Sequence, residues 1–162
     1  MLVRVSTDLA APAAVVWQAV KQTVTLLHVM RVIIGLSTAQ ALPKQWEVGD
    51  VRRVRLVFFH LIPAWQHEIR VTKVDDALRE LWTEESGGPV ETWNHRIRVE
   101  SRGQRVSRYS DEVEIRAGWL TAPVALFAQL FYRYRQWRWR ALAKKLASSL
   151  AVRQGLADTI VL

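Results

Sequence analysis

Cysteine is absent from this sequence of 162 residues. Its absence excludes disulfide bonds, catalysis by a thiolate and metal sites built on sulfur, and it fits the reducing cytoplasm, where we expect the protein to act. Glycine and proline are sparse, at seven and five residues, whereas half of the residues are hydrophobic. A chain of this size and composition has enough apolar residues for one globular core. We therefore predict a single domain over residues 1–150 and a C-terminal tail over 151–162.

Several functional segments are also absent. No apolar run approaches the roughly 20 residues that span a bilayer. The N-terminal residues MLVRVSTDLA lack the basic-then-apolar order of a signal peptide. The sequence contains no glycine-rich nucleotide loop, no HExxH motif and no nucleophile elbow. These observations give no support to a transmembrane protein, a nucleotide-dependent enzyme, a zinc protease or a serine hydrolase, and we expect no cofactor.

The four histidines lack the short spacing that is typical of a metal site. His67, His95 and Asp111 could in principle form a three-ligand metal site, since all three fall on one predicted sheet face. Side chains of these types on neighbouring strands more often hydrogen-bond to one another, so we predict no metal.

The net charge is +8 and comes mainly from arginine. A basic excess is compatible with nucleic acid, an anionic membrane surface or an acidic protein as partner. The charges are scattered along the chain, however, so we interpret the excess as a contribution to solubility. We expect no specific nucleic-acid binding.

Hydrophobic alternation and turn residues predict the order of elements. The pattern predicts a strand at 2–7, helical segments at 15–20 and 25–31, and a short strand at 32–38. A loop follows at 41–50. Five more strands are predicted at 51–59, 65–74, 78–85, 91–101 and 105–115. The breaks between these five are short and rich in turn-forming residues, which is typical of antiparallel hairpins.

One long helix is predicted at the C-terminal end, from Thr121, a suitable cap, to about Leu150. Its apolar residues recur at helical spacing and form one stripe: Val124, Phe127, Leu130, Phe131, Tyr134, Ala141 and Leu142. Arg138 falls within that stripe, and the other arginines of the helix lie at its edge or outside it. The helix buries such a stripe best across the concave side of the sheet, and we expect room between the two.

Three further aromatic residues of this helix, Tyr132, Trp137 and Trp139, are predicted to point away from the stripe centre. They either pack on sheet edges or form an exposed aromatic and basic surface for a partner, such as a second copy of the chain in a homodimer.

Period-two alternation assigns a face to each strand residue. The inner faces of four strands hold Val54, Leu56, Phe58, His60, Trp65, His67, Ile69, Val71, Trp93, His95, Ile97, Val99, Tyr109, Asp111, Val113 and Ile115. A buried charge such as Asp111 needs a partner, which Arg138 or His95 would supply. These polar groups fit either a binding site in the cavity or a structural role as paired core residues.

Several short motifs follow one another in a recognisable order. They are VRVSTDLAAPAAVVWQAV near the start, Trp46-Glu47-Val48-Gly49-Asp50 before a strand, Trp93-Asn94-His95, Asp111-Glu112-Val113 and RWRALAKKL in the last helix. Over about residues 2–147 this order resembles the START/polyketide-cyclase superfamily, the helix-grip or Bet v-like fold also called SRPBCC. The resemblance implies an α+β fold in which a curved seven-stranded antiparallel sheet wraps around a long C-terminal helix, with two short helices after the first strand. It also implies a deep apolar cavity between sheet and helix.

Members of that superfamily bind lipids, sterols, quinones, polyketides or plant hormones, and a minority catalyse cyclisation, dehydration or hydrolysis. We therefore predict binding, or transport, of a hydrophobic or aromatic small molecule such as a lipid or polyketide. The predicted ligand-binding residues are Phe58, Trp65, His67, Trp93, His95, Tyr109, Asp111, Phe127, Phe131 and Arg138.

Two other functions stay open at this point. One is a cyclase or dehydratase in which His95 or Tyr109 acts as general acid or base, oriented by Asp111. The other is an interaction protein that uses its basic helix at a membrane surface or on the ribosome. The superfamily has no universal catalytic signature, so the fold alone does not decide among them.

Overall fold

Seven strands form one antiparallel sheet in the order β1-β7-β6-β5-β4-β3-β2. The computed structural model describes residues 1–37 and 42–160. For residues 151 and 153–160 it describes the backbone and not the side chains. The elements are β1 Leu2–Leu9, α1 Ala13–Val20, α2 Thr23–Met30, β2 Ile34–Leu36, β3 Val51–Phe58, β4 Ile62–Asp75, β5 Glu80–Gly87, β6 Val90–Ser101, β7 Ser107–Arg116, a single 3-10 turn Gly118–Leu120 and α3 Thr121–Ile160. The sheet curls around α3, and this confirms the predicted fold class.

The hairpins follow from local sequence. Strand residues alternate between buried and exposed, as a sheet covered on one face requires. At the β5–β6 turn, Gly88 adopts a φ of +54°, and a Cβ atom there would lie 2.3 Å from Cγ of Trp65. Only glycine fits both the positive φ and the close approach of the indole ring.

The core lies between the concave face of the sheet and α3. Fully buried valines from the sheet, among them Val54, Val71 and Val99, face the helix. Ala128 and Ala143 are completely buried on α3, and their small side chains let the helix approach the strands closely. Within the described residues, no helix combines the length and the apolar character needed to cross a bilayer.

Helix α3 is rotated relative to the predicted stripe. Its buried residues are Ala125, Ala128, Phe131, Tyr132, Arg135, Gln136, Trp139 and Ala143. The predicted stripe members Leu130 and Ala141 are instead exposed. Tyr132 and Trp139, predicted to point away from the stripe centre, are buried, so their predicted placement was wrong, whereas Trp137 is exposed.

Two element boundaries differ from the prediction by three residues or more. The turn after β3 occupies residues 59–61, so β4 begins at Ile62, three residues before the predicted start. Helix α3 continues to Ile160, ten residues beyond the predicted end, because no proline interrupts the chain after residue 123. The predicted strand 32–38 and loop 41–50 each include positions outside the described residues, and so does the end of the predicted tail, residues 161–162.

Candidate functional site

A cavity of about 350 Å³ lies between the concave face of the sheet and α3. Its wall is predominantly apolar, with α2 and β2 closing one side through residues such as Leu26, Met30 and Ile34. Aromatic rings continue the wall along α3: Phe58 meets Phe127 edge-on at 5.8 Å between ring centroids, and Phe127 stacks on Phe131 at 5.7 Å. The sheet and the helices α2 and α3 thus enclose a small, aromatic-rich space.

The first polar group in this wall joins His95, Tyr109 and Asp111. Oδ1 of Asp111 lies 2.9 Å from Nε2 of His95 and also accepts a hydrogen bond of 2.9 Å from the Tyr109 hydroxyl. All three side chains are buried. Burial, reinforced by the negative charge of Asp111, raises the pKa of Tyr109 well above its ordinary value, so the phenol stays protonated as a donor. Asp111 therefore orients the imidazole of His95 from behind.

Arg135 supplies the buried positive charge of this region. Its Nη2 lies 4.0 Å from Oδ1 of Asp111, and its guanidinium stacks over the ring of Tyr132 at 4.8 Å. Burial opposes the charge, but the surrounding negative potential, in which Asp111 and Glu85 take part, outweighs it and raises the pKa of Arg135 above its ordinary value. Among the described residues, Oδ2 of Asp111 and Nε of Arg135 are buried without hydrogen-bond partners. The two groups thus balance each other's charge without a full hydrogen bond.

The second polar group joins His67, Thr83 and Glu85 on β4 and β5. Nε2 of His67 lies 2.9 Å from Oε2 of Glu85, and the Thr83 hydroxyl donates to Oε1 at 2.6 Å. Burial would raise the pKa of Glu85, but the hydrogen bond and the charge of His67 hold that pKa below its ordinary value of 4.5. Glu85 is therefore ionised at neutral pH, and its oxygens act only as acceptors, which places a proton on Nε2 of His67.

Tyr132 connects the aromatic and polar parts of the wall. Its hydroxyl accepts a hydrogen bond of 3.1 Å from Nε1 of Trp93, and its ring lies 4.9 Å from the His95 ring. Burial raises the pKa of Tyr132 far above its ordinary value, so this hydroxyl is also neutral. The site can offer hydrogen bonds and a flat aromatic surface within a few ångströms of each other.

Most of the residues predicted from the sequence meet in this cavity. Eight of the ten line it: Phe58, Trp65, His67, Trp93, His95, Tyr109, Phe127 and Phe131. Asp111 is buried on the predicted face but stands behind His95 and Tyr109 rather than in the lining. Their roles in binding a ligand stay predictions.

The predicted position of Arg138 was wrong. Arg138 is half-buried against α2, where its Nη2 donates to the carbonyl oxygen of His28 at 3.2 Å. Arg135 takes the place near Asp111 that the sequence pattern assigned to Arg138. His60 also departs from its predicted inward position, because the chain turns at residues 59–61 and His60 is exposed there with a φ of +59°.

Sequence reasoning missed Glu85, Thr83, Arg135 and Tyr132. For the first two, a signal was present: period-two alternation puts Leu81, Thr83 and Glu85 on one face of β5, and the apolar Leu81 marks that face as the inner one. Within the described residues, no group of three or more potential metal ligands is arranged to hold an ion, so His67, His95 and Asp111 do not form a three-ligand site.

Solved structures share this fold at low sequence identity. Protein CV1439 from Chromobacterium violaceum superposes with a TM-score of 0.69 at 12% identity, over 88% of this chain and 96% of that one. A START superfamily protein from Mycobacterium smegmatis has a TM-score of 0.64 at 12% identity, over 90% and 98%. Zhui aromatase/cyclase from Streptomyces sp. R1128 has a TM-score of 0.58 at 15% identity, over 90% and 93%. At such identities the likeness establishes the START-like fold alone.

No curated protein matches the sequence. A family model, described as "Domain of unknown function (DUF8410)", matches residues 7–146, which covers the end of β1, the strands β2 to β7 and most of α3. The chain therefore belongs to the DUF8410 family, and it has the START-like helix-grip fold.

Proposed function

We propose that this protein binds, and in that way can carry, an apolar or aromatic small molecule in the cavity between the sheet and α3. The observation that supports the proposal is the cavity itself. Its volume of about 350 Å³ falls within the range of small-ligand sites. Its wall is apolar apart from a few grouped polar side chains, as such sites usually are. A lipid or a polyketide meets these requirements.

The positions of the polar groups narrow the ligand class. Phe58, Phe127 and Phe131 offer an apolar surface to the body of a ligand, whereas His67 and His95 line the same cavity, each held by a carboxylate. Since Nε2 of each histidine is engaged by that carboxylate, the other ring nitrogen is the one that a ligand would meet. We propose a ligand that carries a hydroxyl, phenol or carbonyl group at one end.

The first experiment looks for such a ligand. Native mass spectrometry of freshly purified protein, combined with organic extraction, detects a bound small molecule by its mass. A discrete apolar species in substoichiometric or full occupancy would support the proposal. In its absence, binding of an anilinonaphthalene sulfonate dye to the folded protein tests whether the cavity is accessible.

A pair of variants makes the dye assay specific. Trp93 lines the cavity and bonds to Tyr132, whereas Trp119 is 89% exposed and is not part of the lining. Trp93→Ala should change the dye affinity, and Trp119→Ala, which removes an equal side chain, should leave it unchanged. Equal effects of the two substitutions, or no dye binding to the folded wild type, would contradict binding in the cavity.

A second function, that of a cyclase or dehydratase, has one observation in its favour. Asp111 holds His95 in a fixed orientation, which is the arrangement a general base needs. Tyr109 is less suited to this role, because its proton is already donated to Asp111. In a dehydration, His95 would remove the proton next to the carbonyl of a β-hydroxyketone. The C–O bond would then break to form the C=C bond, and the imidazolium would return the proton to the leaving hydroxide as water.

This alternative is tested with a β-hydroxyketone probe and detection of the enone by absorbance and by the loss of water in the mass. Catalysis by His95 predicts turnover by the wild type and by His67→Gln, and loss of turnover in His95→Gln. Turnover that survives His95→Gln would exclude His95 as the base, and its complete absence in the wild type leaves binding as the proposed function.

Three expectations from the sequence stay predictions. A cytoplasmic location is tested by cell fractionation, and a homodimer by light scattering of the eluting protein. The boundary between a domain at 1–150 and a tail at 151–162 is tested by limited proteolysis.

A further inference from the structure

The positive charge of this protein is concentrated in its helical segments. Residues 9–46 and 117–157, which contain α1, α2 and all but the last three residues of α3, carry ten lysine and arginine residues and no aspartate or glutamate. The rest of the chain carries thirteen basic and fifteen acidic residues. The net charge of +8 therefore comes from these two ranges, whereas the sequence pattern was interpreted as scattered charge.

Several of these cations cluster where α2 meets α3. Arg138 donates to the carbonyl oxygen of His28, and Arg31 and Lys145 lie near the same histidine. Burial, together with the positive charges of Arg138, Lys145 and Arg31, lowers the pKa of His28. In the part of the chain that the structure describes, none of these three basic residues forms an ion pair, whereas Lys21 and Arg135 do. The cluster is thus an uncompensated positive surface.

Exposed apolar side chains adjoin this cluster. The Tyr134 hydroxyl donates to the carbonyl oxygen of Arg31, and the Tyr134 ring lies 6.0 Å from that of Trp137, which is 58% exposed. Val32, which follows Arg31 in the chain, is also exposed. The next residue, Ile33, contacts the β3–β4 turn, because its carbonyl oxygen accepts a hydrogen bond from the backbone N–H of Phe59. That turn presents Phe59 and Leu61, and Leu61 is 82% exposed.

Two of these exposed apolar residues, Val32 and Phe59, have a strained backbone conformation. Val32 and Phe59 have φ values of +87° and +53°, a region that β-branched and bulky residues rarely adopt. Burial of their own side chains does not compensate for this strain, because both residues are exposed. A surface with this property is more typical of a contact site than of a solvated turn.

We propose that this surface, the basic–apolar face formed by Arg31, Val32, Phe59, Leu61, Trp137, Arg138 and Lys145, docks on an anionic membrane surface. Basic residues are attracted to anionic headgroups, and exposed Trp, Phe and Leu side chains enter the headgroup region. The combination matches the chemistry of a lipid surface better than that of RNA, because Val32 and Leu61 offer nothing to phosphates and cannot stack on bases as aromatic residues do.

Docking would bring the cavity to the membrane. Met30 and Ile34, which flank Arg31 and Val32 in the chain, line the cavity on the inner side of the same segment. Residues 30–34 therefore contribute both to the basic–apolar face and to the wall of the cavity. The docking proposal itself requires no ligand, so it stands or fails independently of the proposed binding function.

Sedimentation with vesicles tests the proposal. We expect the protein to bind phosphatidylcholine vesicles that contain about one third phosphatidylglycerol, and to bind much less to pure phosphatidylcholine. Because the attraction is partly electrostatic, added salt should weaken binding. Each basic residue near the surface contributes about a fivefold factor in affinity, so Arg31→Gln/Lys145→Gln should bind roughly 25-fold more weakly. Leu61→Ser should weaken binding without altering its salt dependence.

A matched control separates this face from net charge alone. Arg102 and Arg105 are exposed in the β6–β7 turn, at the opposite end of the sheet from the β3–β4 turn. Arg102→Gln/Arg105→Gln changes the net charge equally and should change vesicle binding by less than about threefold. All the substituted side chains are exposed, so circular dichroism and melting temperature should match the wild type.

Two results would overturn the proposal. One is equal weakening by the control and the Arg31/Lys145 variant, which would make the effect one of net charge. The other is salt-sensitive binding of the wild type to RNA together with no binding to the anionic vesicles.

Discussion

Replacement of Asp111 by alanine removes the carboxylate that faces Arg135, His95 and Tyr109. Asp111 is 1% exposed and Arg135 is also buried, so the substitution leaves a buried guanidinium without its counter-charge. Loss of one partner of a buried pair typically costs about 3–5 kcal/mol. For a protein of this size, each kcal/mol lowers the melting temperature by roughly 2–4 °C. We therefore expect Asp111→Ala to melt about 6–20 °C below the wild type.

The adjacent residue provides a control for loss of a carboxylate. Glu112 lies on the outer face of β7 and pairs with the exposed Arg4 at 2.5 Å. Exposed pairs of this kind contribute about 0–1 kcal/mol, so Glu112→Ala should lower the melting temperature by no more than a few degrees. The assay is thermal unfolding followed by far-ultraviolet circular dichroism at neutral pH.

Two double variants identify the partner of Asp111. If Arg135 is the buried charge left behind, Asp111→Ala/Arg135→Leu should recover part of the lost stability, since the unpaired guanidinium is gone. Asp111→Ala/Arg138→Leu should recover none, because Arg138 contacts His28 instead. A melting temperature of Asp111→Ala within about 2 °C of the wild type would contradict this pairing, and so would equal recovery by the Arg138 and Arg135 substitutions.

Two further predictions concern the rest of the wall. The pKa of Glu85 is lower in the folded protein than its ordinary value of 4.5, so its ionised form stabilises the fold above that pH and the contribution is lost as pH falls through the folded-state pKa. Glu85→Gln should therefore flatten the loss of melting temperature between neutral and acidic pH, and identical pH profiles would exclude this role. Gly88→Ala should be more destabilising than Gly103→Ala and should also weaken dye binding: both glycines have positive φ, but only at Gly88 would the Cβ collide with Trp65, which lines the cavity. Equal losses in the two variants would show that the indole simply moves aside.

The inner faces of the strands were predictable because side chains of a strand alternate with a period of two. Once one apolar residue marks the inner face, as Ile97 does on β6, the position of His95 follows. The same rule places Tyr109 and Asp111 together. It failed for His60 because alternation applies only within a strand, and the strand ends at Phe58. Glu85 shares an inner face with Leu81 on β5, a strand for which no inner face was predicted.

The rotation of α3 was harder to predict. In the segment FYRYRQWRWR, aromatic and basic residues occur on every side of the helix, so hydrophobicity alone does not select the buried side. Tyr132 and Trp139, two turns apart, are buried, whereas Trp137 between them is exposed. Arg135 is buried only because Asp111 and Glu85 face it from the sheet. Such a pairing depends on contacts between distant elements and leaves no local signal.

The two walls of the cavity differ in how they can respond to what enters. Phe127, Phe131 and Tyr132 belong to two adjacent turns of one continuous helix, so their spacing is fixed by the helix itself. The opposite side consists of α2 and the three-residue strand β2, which pairs with β3 at the edge of the sheet that the structure describes. Ligands of different size would thus contact one rigid wall, formed by α3, and one adaptable wall, formed by α2 and β2. A bound guest should accordingly slow amide exchange most in β2 and α2, while the buried turns of α3 change little.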